Sequence, residues 1–67
     1  MKMTEMQKIR HNEVNEIISA LDHDIYKKLC TAWKMYEQFG RIEFFRALIE
    51  HFKINLSIDD WALWYYN

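Results

Sequence analysis

The sequence predicts an all-α protein, and three features carry that expectation. Proline is absent, glycine occurs once, at Gly40, and apolar residues recur at intervals of three and four through most of the chain. Two-residue hairpin turns need residues free to take positive φ, and a single glycine leaves them almost nowhere to form. The architecture expected is a compact three- or four-helix bundle in one domain, residues 1–67. It contains an antiparallel helical hairpin over residues 23–39 and 41–52 and a short aromatic C-terminal helix. At this length a single core only just outweighs the chain entropy lost on folding.

The first helix is expected over residues 4–21, with Thr4 as N-cap and Met6, Val14, Ile17, Ile18 and Leu21 on one face. Arg10 interrupts that stripe; its aliphatic stem is expected to cover the core edge while the guanidinium reaches water. The second helix spans residues 23–39 with Ile25, Leu29, Ala32, Trp33, Tyr36 and Phe39 inward. Asp22 is placed to cap it, with Leu21 and Tyr26 closing over the cap. A competing reading remains open at this point. Val14, Ile18, Leu21, Ile25, Leu29, Ala32, Tyr36 and Phe39 step by threes and fours without a break, as one long helix over residues 4–39 would.

Gly40 follows Phe39 where a helix end favours a left-handed residue, with Ile42 packing back. The third helix is then expected over residues 41–52, with Ile42, Phe45, Leu48, Ile49 and Phe52 inward and Glu43, Arg46, Glu50 and Lys53 outward. Ser57 and Asp60 have the spacing of a capping box, and Asp59 suits the positive end of a helix dipole, so SIDDWALWYYN reads as a fourth, short helix.

Apolar residues make up 51% of the chain and aromatic residues 16%, too hydrophobic a composition for a disordered segment. Nine Lys and Arg stand against ten Asp and Glu, leaving no net field to attract nucleic acid or an anionic membrane. No apolar run reaches the roughly 18 residues of a membrane span. Cys30 has no partner for an internal disulfide and no leader pattern precedes it, so a cytoplasmic location is expected.

Little in the chain suggests catalysis. His11, His23 and His51 are the obvious candidate bases or ligands, but DHD at residues 22–24 is a poor chelate because neighbours on a helix diverge. No His or Cys pair has structural-zinc spacing, Cys30 has no adjacent base, and capping accounts for Asp59 and Asp60. One glycine cannot build a phosphate loop. The expectation is a non-enzymatic protein with no cofactor and no metal.

The C-terminal aromatics point instead to binding. On a helical wheel Ile58, Trp61, Ala62 and Tyr65 share one side, Trp64 borders it, and Leu63 and Tyr66 face away. A helix apolar nearly all round is either clamped between two surfaces or partly exposed. Trp61 and Tyr65 are expected to close the core. Leu63, Trp64 and Tyr66, extended by Phe44 and Met35, are expected to contact a protein partner, a second copy of the chain first among them. The function this supports is a small helical interaction module, an adaptor, inhibitor or regulatory subunit acting as a homodimer.

The alternative is a helix-turn-helix regulator using residues 41–67. Its recognition helix would have to present Asp59 and Asp60 to phosphates and carries no Lys or Arg. The aromatics also suit a lipid interface, but such helices normally pair their apolar face with basic residues, and WALWYY has none.

Overall fold

The structure, a computed structural model, describes residues 3–67. It is all-α, with four helices and no strand among the described residues: α1 (Glu5–Ser19), α2 (His23–Phe39), α3 (Glu43–His51) and α4 (Ile58–Tyr65). The helices divide between two units. One comprises the chain to Ala20 together with Leu56–Asn67, in which α1 packs on α4; the other is Leu21–Asn55, in which α2 packs on α3.

Both helices of the first unit start with reciprocal caps. The Thr4 hydroxyl accepts from the Gln7 backbone N–H at 3.2 Å while Gln7 Oε1 accepts from the Thr4 N–H at 2.9 Å. Ser57 and Asp60 repeat the arrangement at α4, as their spacing predicts. Each satisfies two N–H groups that an uncapped first turn would leave open. Val14, Ile18, Leu56 and Trp61 are buried.

Met6, expected in the α1 core face, is 82% exposed. It lies about 80° round the helix from Val14, at the margin of the stripe that Val14 and Ile18 define, so the face turns away from it. Ile17 is half-buried.

In the second unit the chain breaks at Asp22, whose carboxylate accepts from the Asp24 N–H at 2.9 Å. Residues 4–39 are therefore two helices. Stopping α1 at Ser19 and capping α2 afresh outweighs continuing the apolar register, because an Asp side chain competes for backbone N–H groups in just this position. Leu29, Ala32, Trp33 and Phe45 form the buried centre, with the Trp33 and Phe45 rings edge-on at 5.2 Å.

Phe39 and Tyr36, expected inward, are exposed. Phe39 is the last helical residue, on the edge of the stripe, and α3 has nine residues against seventeen in α2, too few to cover the whole stripe. Gly40 takes the left-handed conformation (φ 71°) and its N–H donates to the Tyr36 carbonyl at 2.8 Å. Helix α3 then begins two residues later than expected, at Glu43, with Ile42 as an N-cap that offers no side-chain acceptor. Glu43, Arg46, Glu50 and Lys53 face outward as expected.

The end of α3 holds a feature with no glycine to announce it. Lys53 has φ 52°, its N–H donates to the Glu50 carbonyl at 3.2 Å, and the Ile54 N–H donates to the Ile49 carbonyl at 3.0 Å. That pair of bonds is the Schellman arrangement, built here on a lysine.

Candidate protein-interaction surfaces

In the first unit, α4 shows two different sides. Trp61 is fully buried and stacks on Tyr65 at 5.8 Å, so those two rings close the unit as their positions on the wheel predict. Trp64 is half-buried; its ring lies 5.5 Å from that of Trp61, and its indole N–H donates to Asn15 Oδ1 of α1 at 3.1 Å. Part of Trp64 thus belongs to the α1–α4 packing, a role that its place on the helical wheel does not reveal. Leu63 is half-buried and Tyr66, just past the last helical residue, is 58% exposed.

The second link between these helices is Arg10. Its Nε donates to Asp60 Oδ1 at 3.0 Å, Nη2 donates to Oδ2, and Nη1 donates to Glu13 at 2.8 Å. The guanidinium does not simply reach water, contrary to the expectation. The fork geometry of Arg matches a carboxylate, and placing Arg10 on the apolar face of α1 delivers it to the first turn of α4. Asp60 therefore caps α4 and binds Arg10 together. Those hydrogen bonds, the Arg10 contact first, hold the Asp60 carboxyl below its ordinary range and raise Arg10 further above its own.

Phe44 belongs to the second unit. It is 46% exposed and lines a groove of about 350 Å³ between α2 and α3. Ala32, Met35 and Leu48 complete the apolar lining with Phe44, and Lys27 and Lys28 stand on α2 beside them. Thr31 lies between, its hydroxyl donating to the Lys27 carbonyl at 3.0 Å. By sequence alone Lys27 and Lys28 look like ordinary solvation. Their place beside an apolar groove follows only from the pairing of α2 with α3, which no periodicity along α2 alone reveals. Of the expected contact residues, Leu63 and Trp64 thus lie on α4 with Tyr66 at its C-cap, while Phe44 and Met35 share the groove of the other unit.

The candidate chemical residues have structural surroundings. His23 opens α2 and is exposed, and the exposed His51 lies edge-on to Phe52 at 4.8 Å. His11 is half-buried with no hydrogen-bond partner at Nε2. Cys30 is a half-buried thiol. Among the described residues no group of three His, Cys, Asp or Glu is placed to hold a metal ion, and no helix is long and apolar enough to cross a membrane.

Compared with protein-family models, with curated proteins and with solved structures, the chain matches none of them.

Proposed function

We propose that this is a non-enzymatic helical interaction module that self-associates through its aromatic C-terminal helix. The observation that carries the reading is the division of labour on α4. Trp61 is spent entirely on burial, whereas Tyr66 keeps 58% of its surface in water and Leu63, largely covered, is not fully enclosed. Large apolar side chains left exposed on a small domain are the usual raw material of protein contacts, and Tyr and Trp anchor them effectively. A role as adaptor, inhibitor or regulatory subunit fits the size of the chain, and its one half-buried thiol suits a reducing cytoplasm.

The DNA-binding alternative draws less support. Six residues, 52–57, separate α3 from α4, longer than the turn of about 3–4 residues in helix-turn-helix motifs. Asp59 and Asp60 still occupy the first turn of α4, where phosphates would have to approach.

Sedimentation equilibrium over a range of protein concentrations tests the proposal. Wild type should show mass above the monomer, and Tyr66→Ala should shift the population toward monomer. A monomer at every concentration would remove the reading, and a salt-sensitive gel shift of duplex DNA would favour the alternative.

A further inference from the structure

We propose that the α2–α3 groove is the acceptor for the outward side of α4 from a second copy of the chain. This rests on the self-association proposed above and assigns it a second surface.

The groove and the helix carry matching patterns. Along α2 the groove is lined at Lys28, Ala32 and Met35, and the side of α4 turned from Trp61 carries Asp59 and Leu63, continued by Tyr66 at the C-cap, whose N–H still donates to the Ala62 carbonyl. Both series run at positions i, i+4 and i+7. Seven residues of helix advance about 10.5 Å, so the two stripes have the same length.

Laid side by side in the same direction, the two helices pair complementary groups at every step. Asp59 meets Lys28, Leu63 lies over the small Ala32, and Tyr66 reaches Met35, whose thioether is a favourable neighbour for an aromatic ring. Phe44 and Leu48 of α3 form the far wall, adding a second ring for Tyr66. A bulky residue in place of Ala32 would leave Leu63 no room.

The charges are available for this use. Asp59, unlike Asp60, makes no side-chain hydrogen bond or ion pair among the described residues, and neither lysine ammonium does. No carboxylate lines the groove among the described residues, so an incoming acidic helix meets only positive charge there.

A charge exchange tests the pairing. Lys28→Glu and Asp59→Lys alter exposed residues, and circular dichroism checks that each still folds. By sedimentation, each variant alone should associate roughly fivefold more weakly than wild type, because like charges then face each other in the contact. An equimolar mixture should recover wild-type affinity as a mixed complex, since every contact between the two variants pairs opposite charges. Should Asp59→Lys weaken α4, Tyr66→Ala and Phe44→Ala supply a second pair, each expected to weaken association about tenfold.

If wild type self-associates but Lys28→Glu and Phe44→Ala leave its affinity unchanged, the groove is not the acceptor, while self-association through α4 stands. If the mixture of charge variants shows no recovery, the Lys28–Asp59 register is wrong. If wild type is a monomer throughout, both readings fall, and the groove is left to an acidic helix from another protein.

Discussion

Arg10 and Asp60, fifty positions apart in sequence, form a two-point ion pair that fastens the middle of α1 to the first turn of α4. The pair does more than add an attraction. Asp60 also accepts from the Ser57 N–H, so the geometry of the α4 cap and the docking of α4 on α1 are set by one carboxylate.

Acid should therefore loosen the first unit. The folded protein holds Asp60 below the ordinary aspartate value of about 4, so the unfolded chain binds the proton more readily. The contribution of the carboxylate is fully present above that ordinary value and is lost as pH falls through the depressed folded one. Thermal melts from neutral to strongly acid pH should show a decline in wild type that is shallower in Asp60→Asn, which can still accept at the cap but does not titrate. Parallel curves for the two proteins would mean that Asp60 is not the responsive group.

Two residues in the left-handed region should respond in opposite directions. Gly40 has φ 71°, and a methyl group added to its Cα would find nothing within 4 Å, so Gly40→Ala meets no clash and costs only the backbone penalty, about 1 kcal/mol. Lys53 already bears that penalty at φ 52°, so Lys53→Gly should gain stability, by about 0.5–1 kcal/mol once the added freedom of the unfolded glycine is counted. Urea denaturation of the two variants beside wild type reads both signs. A destabilised Lys53→Gly would show that the lysine side chain matters more than its backbone conformation.

Trp61 carries the heaviest single share of burial in the first unit. It is fully buried, and Trp61→Ala should cost about 3–5 kcal/mol, which is comparable to the whole stability expected of a chain this small. Circular dichroism should find that variant largely unfolded at room temperature, with Trp61→Phe retaining most of its helix. A folded Trp61→Ala would mean that the neighbouring side chains collapse into the space.

How much of this was legible in the sequence follows from the range of the interactions involved. Caps are local, so Thr4, Asp22 and Ser57 could be read from spacing, and Gly40 from its backbone freedom. Lys53 could not, because a lysine side chain has no preference that marks a left-handed residue, even though the bonds that hold it run only to the Ile49 and Glu50 carbonyls at the end of α3. Arg10 with Asp60, Asn15 with Trp64, and the groove beside Lys28 all depend on which helix lies against which. Periodicity identifies a face without naming what it meets. The expected contact set shows the same limit: Leu63, Trp64 and Tyr66 follow from the wheel of one helix, but the link between Trp64 and Asn15 requires the α1–α4 pairing.

That link supplies the last prediction, because it separates what Trp64 does for the unit from what it could do for a partner. Trp64→Phe keeps an aromatic ring and removes the N–H that Asn15 accepts at 3.1 Å. Asn15 is exposed, so water can take the vacated position and no buried polar group is stranded. The loss should therefore be small, about 0.5–1 kcal/mol in thermal or urea unfolding, with the midpoint lowered and the fold retained. Self-association should be nearly unchanged, since the outward side of α4 is carried by Leu63 and Tyr66. A Trp64→Phe protein of wild-type stability that no longer associated would reverse the assignment, making the indole N–H a partner contact and the bond to Asn15 incidental.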